Sequence, residues 1–170
     1  MARVFVGTTK NGCAVYVDTE HSHAATHMKD TPGLLDLVKE ALPKIEADGS
    51  VIRTEIDFGR IIGTMDLVET TDSDDVFYAM RPNRDRYSRF VHNREAVPTS
   101  WLVVRMERVN EKEYSLFTTY IGRLVPPFPF GDSRDSHEMI EFWKGHALAV
   151  GNQELVPETE TKECPWPNFK

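Results

Sequence analysis

Five arginines lie close together in an otherwise acidic chain. Residues 81–94 carry these five arginines and one acid, Asp85, whereas the formal net charge of the 170-residue chain is −7. A guanidinium group presents a fork of N–H donors that matches phosphate and carboxylate oxygens, so the segment predicts an anion or phosphate site. The alternative is a solvated loop whose arginines pair with the abundant acids.

The same segment contains groups for acid–base chemistry. An imidazole takes or gives a proton near neutral pH, and arginines stabilise negative charge on phosphorus, so His92 and Arg94 are catalytic candidates. Arg81 is a further ligand-binding candidate. If the segment curls between its flanking strands, the side chains that converge are Asn83, Arg84, Tyr87, His92 and Arg94.

A group of hydroxyl side chains follows the arginine segment. Thr99 and Ser100 open one predicted strand, and Thr119 and Tyr120 close the next. The two pairs lie side by side if these strands form a hairpin, and their hydroxyls can then bind a phosphate or orient a nucleophile. Tyr120 is the catalytic candidate among them. Ordinary strand hydroxyls without a ligand are the alternative.

Three histidines near the N-terminus give a weaker signal. His23 and His27 have the i, i+4 spacing that puts two imidazoles on one helical face, and His21 precedes them. The pattern lacks the glutamate of the zinc-protease motif, so a polar helix face is favoured over metal binding. We predict neither a metal site nor a cofactor.

The N-terminal elements follow from turn residues and hydrophobic spacing. β-Branched runs on both sides of Asn11 and Gly12 predict a β-hairpin. Thr31 and Pro32 predict the N-cap and first position of a helix, and apolar residues recur with helical spacing up to Ile45.

The middle of the chain is typical of β-structure. Residues 51–56 and 76–80 are rich in β-branched or aromatic side chains, and residues 99–109 and 114–121 predict two strands joined by a turn. We therefore expect an α+β protein with a twisted antiparallel sheet packed against helices.

The last third of the chain combines a helix with irregular segments. Residues 126–130 contain three prolines and predict an extended surface connection, whereas residues 136–148 predict a closing helix. Residues 151–170 are polar and rich in proline, which favours an extended or disordered tail. Residues 1–150 are predicted to form a single globular domain.

Composition limits the classes of function. The chain has no apolar run that could cross a membrane and starts without the apolar segment of a signal peptide, so we predict a cytoplasmic protein without a membrane partner. Cys13 and Cys164 have no metal or disulfide pattern. Phosphate-loop, dinucleotide-binding and serine-hydrolase motifs are absent from the sequence.

Several short pieces follow one another in a recognisable order. They are Gly59-Arg60-Ile61-Ile62-Gly63, Leu67-Val68-Glu69-Thr70, Arg81-Pro82-Asn83-Arg84, Arg86-Tyr87-Ser88-Arg89-Phe90, Pro98-Thr99-Ser100, Thr119-Tyr120-Ile121-Gly122, Pro126-Pro127-Phe128-Pro129, Phe142-Trp143 and His146-Ala147-Leu148. From about residue 56 to residue 147 the chain resembles a group of small, mostly uncharacterised bacterial and phage-associated proteins. The arrangement also resembles the barnase, EndoU, colicin and RelE-like ribonuclease superfamily.

The second resemblance implies metal-independent RNA cleavage. His92 would then act as acid or base, with Arg84 and Arg94 holding the phosphate. A second well-placed histidine is missing, which departs from two-histidine catalysis. The alternatives are a non-catalytic module that binds a nucleotide or another phosphate ligand, and a partner-binding protein that uses residues 126–130 with Trp166 and Phe169. The sequence does not indicate an oligomeric state.

Overall fold

Eleven β-strands and three α-helices form the regular structure, with two short 3₁₀ turns, in the computed structural model, which describes residues 3–169. The strands are β1 (Arg3–Thr8), β2 (Ala14–Asp18), β3 (Val51–Asp57), β4 (Gly63–Met65), β5 (Leu67–Glu69), β6 (Val76–Met80), β7 (Tyr87–Val91), β8 (Val97–Thr99), β9 (Trp101–Asn110), β10 (Glu113–Ile121) and β11 (His146–Ala149). The helices are α1 (His23–Asp30), α2 (Leu34–Ala41) and α3 (His137–Lys144). The predicted α+β class is confirmed.

The chain divides into two compact units. The first unit comprises the chain up to Gly63 together with Pro98–Leu124, and the second comprises Thr64–Val97 and the chain from Val125 onward. The arginine segment therefore belongs to the second unit, and the predicted hydroxyl group belongs to the first.

A five-stranded sheet in the order β1-β2-β10-β9-β3 forms the framework of the first unit. Its neighbouring strands are antiparallel except for β2 and β10, which are parallel. The predicted N-terminal hairpin and the predicted β9–β10 hairpin are both confirmed. Gly12 takes a φ of 85° in the first of these turns, a conformation that glycine adopts without a Cβ clash.

The core of the first unit lies between this sheet and two helices. Leu102, Val104 and Met106 of β9 belong to this core, because alternate side chains of a strand lie on the same face of the sheet. Leu34 and Val38 of α2 belong to the same apolar cluster and lie four residues apart, on one face of the helix.

The start of α2 differs from the prediction. Thr31 ends α1 instead of capping α2, because its backbone N–H donates to the carbonyl of His27 at 2.9 Å. The chain then turns through Gly33, which has a φ of 82°, and α2 begins at Leu34. The helix α2 therefore begins two residues after the position that Thr31 and Pro32 predict.

A four-stranded sheet in the order β5-β11-β7-β6 forms the framework of the second unit. β7 is parallel to β11 and antiparallel to β6. Phe77, Ala79 and Phe90 form an apolar cluster in which each side chain is almost fully buried. This packing fixes the β6–β7 hairpin, whose loop is the arginine-rich residues 81–86.

The closing helix is shorter than the sequence predicts. The Ser136 hydroxyl accepts a hydrogen bond from the Met139 N–H at 3.1 Å, which caps α3 at the predicted place. The helix ends at Lys144, however, and the predicted last turn is the strand β11, which pairs with both β5 and β7. Hydrogen bonds to two distant strands outweigh the helical preference of alanine and leucine.

The C-terminal segment packs against β6 within the second unit. Tyr78 of β6 and Thr161 exchange two backbone hydrogen bonds, at 2.7 and 2.8 Å, and thereby continue the sheet. Trp166 is 4% exposed, and its ring meets the Tyr78 ring edge-on at 5.1 Å. Residues 151–169 are thus held by specific contacts in the region where the sequence predicts an extended or disordered tail.

Candidate functional site

The loop between β6 and β7 concentrates cationic side chains. Met80 pairs with Tyr87 at the end of the hairpin, so the six residues between them must reverse the chain. The Arg84 N–H donates to the Arg81 carbonyl at 3.2 Å, and Asn83 takes a φ of 61°. Asparagine tolerates this left-handed conformation better than most residues. The tight turn brings three arginines into one short loop.

A groove of about 530 Å³ opens along this loop. Its volume lies within the range of about 300–1,000 Å³ that is typical of small-molecule sites. The residues that line it are Arg81, Asn83, Arg84, Asp85, Arg86, Ser88 and Phe128.

Positive charge in this groove exceeds negative charge. Asp85 is the one acid among the lining residues; its side chain is 95% exposed and lies 3.7 Å from the Nε of Arg86. Burial lowers the pKa of Arg81, and the positive charges of Arg84 and Arg86 lower it further. An anion in the groove would relieve this repulsion.

Arg81 also has an unsatisfied donor. Its Nε is buried and has no hydrogen-bond partner among the described residues. Buried polar groups normally have a partner, and an unpaired one costs about 1–3 kcal/mol. The buried Nε atoms of Arg89 and Arg105 are unpaired in the same way, so this feature does not by itself mark a ligand site.

Among the lining residues of the groove, Phe128 is the aromatic one, and its ring forms the aromatic wall of the groove. The Phe128 ring stacks on Trp143 with ring centres 4.0 Å apart, and Arg86 donates from Nη1 to the Phe128 carbonyl at 3.3 Å. The guanidinium groups of Arg86 and Arg134 each lie over the Phe130 ring, at 4.1 and 3.9 Å from its centre. These contacts hold the proline-rich residues 126–130 beside the arginine loop.

Of the predicted site residues in the second unit, three line the groove. These are Arg81, Asn83 and Arg84. Sequence reasoning left out Arg86, Ser88 and Phe128. Arg86 and Ser88 belong to the arginine segment. Phe128 is 42 residues from Arg86, and no local sequence pattern indicates that the two residues are in contact.

His92 and Arg94 lie at the other end of β7. At about 3.3 Å per residue, this strand separates His92 from Tyr87 by roughly 16 Å. The His92 ring stacks on Phe77 at 3.9 Å, and its Nε2 is 3.6 Å from Glu160. The structure therefore does not bring His92 to the groove, and of the five residues expected to converge only Asn83 and Arg84 line it.

Arg94 has partners outside the groove, and Tyr87 does not line it. Arg94 donates to the Glu69 carbonyl at 2.9 Å and lies 3.5 Å from the Asp74 carboxylate. Tyr87 is the first residue of β7 and is not among the lining residues. Catalysis by His92 and Arg94 stays a prediction, but it has to occur away from the groove.

The four predicted hydroxyl residues belong to the first unit. Thr119 is fully buried and donates to the Val103 carbonyl at 2.8 Å, while Thr99 Oγ1 accepts from the Trp101 N–H at 3.2 Å. These two threonine hydroxyls serve the backbone of the sheet.

Ser100 and Tyr120 also have local partners. A hydrogen bond from Ser100 is the main reason why the pKa of Asp57 lies below its usual range. Burial raises the pKa of Tyr120, whose ring lies 6.0 Å from that of His27. A Tyr120 phenol with a raised pKa stays protonated at neutral pH.

The N-terminal histidines contact aromatic residues of β10. His23 lies 5.6 Å from Phe117 between ring centres, and His21 Nδ1 is 3.4 Å from the Asp18 carboxylate. Within residues 3–169, no cluster of three or more histidine, cysteine or acidic side chains is arranged to hold a metal ion.

His27 makes stability depend on pH. Burial lowers the pKa of His27, and the nearby His23 lowers it further, against the opposing effect of Asp30. The unfolded imidazole titrates near its ordinary pKa of about 6.5 and so binds protons more readily than the folded one. We expect the free energy of unfolding to be highest above about pH 6.5 and to fall as the pH decreases through the folded pKa.

Urea unfolding between about pH 5 and pH 8 tests this dependence. His27→Gln should flatten the profile relative to wild type, and the exposed His21→Gln serves as the matched control. Equal slopes for wild type and His27→Gln would contradict the assignment.

Comparison of the chain with protein-family models, curated proteins and solved structures finds no match. The resemblances described for the sequence, including the ribonuclease resemblance, stay predictions. Among the described residues, no helix has the length and apolar character needed to cross a membrane.

Proposed function

We propose that the second unit binds a phosphate-containing ligand in the groove lined by Arg81, Arg84 and Arg86. The observation that carries this proposal is the clustering of three guanidinium groups along one groove, where the one acid among the lining residues is almost fully exposed. Of the functions that the sequence suggests, this proposal is the non-catalytic binding of a phosphate ligand and not RNA cleavage.

The side chain of Arg84 supports the proposal. It is exposed, and among residues 3–169 its guanidinium group has neither an ion pair nor a hydrogen bond. Surface arginines elsewhere in the protein do have such partners: Arg60, for example, binds the Glu40 carboxylate at 2.7 Å. The Arg84 guanidinium is therefore available to an anion that enters the groove.

Arg84→Ala should weaken phosphate binding without affecting stability. A hydrogen bond to a charged group contributes about 1.5–3 kcal/mol, so we expect a loss of affinity of about tenfold or more. Isothermal titration calorimetry with inorganic phosphate at low salt measures this effect. The folded state should keep its stability, because among residues 3–169 the exposed Arg84 side chain has no hydrogen bond or ion pair to lose.

Arg60→Ala is the matched control, since it removes one positive charge from an exposed site of the first unit. It should bind phosphate like the wild type. Undetectable binding by the wild type, or equal losses in Arg84→Ala and Arg60→Ala, would refute the proposal.

A further inference from the structure

On the basis of the proposed function, we infer that the groove takes a phosphate monoester attached to a planar ring, as in a nucleoside monophosphate, in preference to an internal phosphodiester. Three features carry this inference: the charge of the groove, the number of its donors and its aromatic wall.

The charge of the groove matches a dianion. Three arginines and one aspartate line it, which gives a net charge of +3 − 1 = +2. Asp85 offsets little of this positive charge, because its carboxylate is almost fully exposed. The carboxylate also interacts with Arg134, which is not a lining residue of the groove. A phosphate monoester carries about −1.5 to −2 near pH 7, whereas a phosphodiester carries a single negative charge. The monoester therefore neutralises the groove more completely.

The donors of the groove suit a phosphate at the end of a molecule. Arg81 lines the groove as a partly buried residue, and Arg84 lines it as an exposed one. A terminal phosphate presents three acceptor oxygens to them, whereas an internal diester presents two and carries a substituent on each side.

The aromatic wall suits a planar group beside the phosphate. Trp143 supports the Phe128 ring by stacking on it. The Arg81 guanidinium lies 5.9 Å from the Phe128 centroid, which is farther than the 4.1 and 3.9 Å between Phe130 and its two arginines. Trp143 lies close to the Phe128 ring at 4.0 Å, whereas Arg81 and Trp166 lie farther from its centre, at 5.9 and 6.1 Å, and the ring lines the groove. A nucleobase can pack against such an aromatic side chain.

Calorimetric titration of the wild-type protein with four probes tests the inference. The probes are uridine 5′-monophosphate, ribose 5-phosphate, the dinucleotide uridylyl-(3′→5′)-uridine and uridine. We expect uridine 5′-monophosphate to bind about tenfold more tightly than the dinucleotide, because it gains one charge-assisted contact. It should also bind more tightly than ribose 5-phosphate, and uridine should bind most weakly.

Phe128→Leu separates the ring contact from the phosphate contact. This variant should bring the affinity for uridine 5′-monophosphate down to that for ribose 5-phosphate, which should stay unchanged. Phe5→Leu is the control, because Phe5 is an aromatic residue of the first unit that is 52% exposed.

The outcomes distinguish the inference from the proposed function. Dinucleotide binding as tight as that of the monophosphate would overturn the monoester preference and leave the phosphate site in place. Equal affinities for uridine 5′-monophosphate and ribose 5-phosphate would overturn the role of the ring. If inorganic phosphate and all phosphate probes fail to bind, the proposed function itself fails.

Discussion

Arg89→Ala should lower the free energy of unfolding by about 3 kcal/mol, although arginine is usually a surface residue. Arg89 is 9% exposed, and its Nη1 donates to the backbone carbonyls of Trp143 and His146, the latter at 2.7 Å. The Trp143 carbonyl is in the last turn of α3, where the helix dipole favours a positive charge. The substitution leaves both carbonyls without this donor and opens a cavity under β7.

Arg89→Met and Arg94→Ala serve as the two controls. Arg89→Met restores most of the volume but not the donor, so we expect an intermediate loss. Arg94 lies just beyond β7, and its side chain is 37% exposed, so Arg94→Ala should cost less than about 1 kcal/mol. Urea unfolding followed by circular dichroism gives the three values. A loss for Arg89→Ala no larger than that for Arg94→Ala would show that the buried guanidinium group is not needed for stability.

The buried position of Arg89 also explains why the sequence overestimates the size of the anion site. In β7, the four residues from Ser88 to Val91 are all buried, so the strand has protein on both faces and lacks an alternating polar pattern. Without that pattern, residues 81–94 read as one continuous polar loop. The strand in fact separates the arginines from one another. Arg81, Arg84 and Arg86 line the groove, Arg89 is a buried donor, and Arg94 forms a separate ion pair with Asp74.

Local signals predicted the elements that form between neighbours in the chain. The turn residues between β1 and β2, and those between β9 and β10, identified both hairpins, because each turn joins strands that pair directly. The helix predicted from residue 136 likewise starts there, where the Ser136 hydroxyl caps α3.

Contacts between distant segments could not be predicted in the same way. β11 has four residues, and its partners in β5 and β7 precede it by more than 50 residues, so the pairing leaves no periodic signal in the sequence. The contact of Arg86 with the Phe128 carbonyl is of the same kind. For the candidate site, the sequence indicated the cations of the loop but not the aromatic wall.

Trp143→Ala should have the largest effect on stability, a loss of about 3–5 kcal/mol in the free energy of unfolding. Trp143 is 1% exposed, stacks on Phe128 and meets the Phe142 ring edge-on at 5.0 Å. Its indole Nε1 donates to the Pro127 carbonyl at 3.1 Å. The substitution removes the apolar contacts and the hydrogen bond together, and it leaves a cavity that the surrounding sheet and helix cannot close.

Trp143→Phe separates these contributions. It keeps an aromatic ring under Phe128 and removes the donor to Pro127, so we expect a loss of about 1–3 kcal/mol with phosphate binding retained. Trp101→Ala is the control for the removal of a tryptophan. Trp101 is partly exposed in the first unit, so its substitution should lower the free energy of unfolding by a smaller amount. Circular dichroism is the appropriate probe, since the variants differ in tryptophan content. If Trp143→Ala lowers the free energy of unfolding no more than Trp101→Ala does, then Trp143 is not the residue that supports the Phe128 ring in the groove.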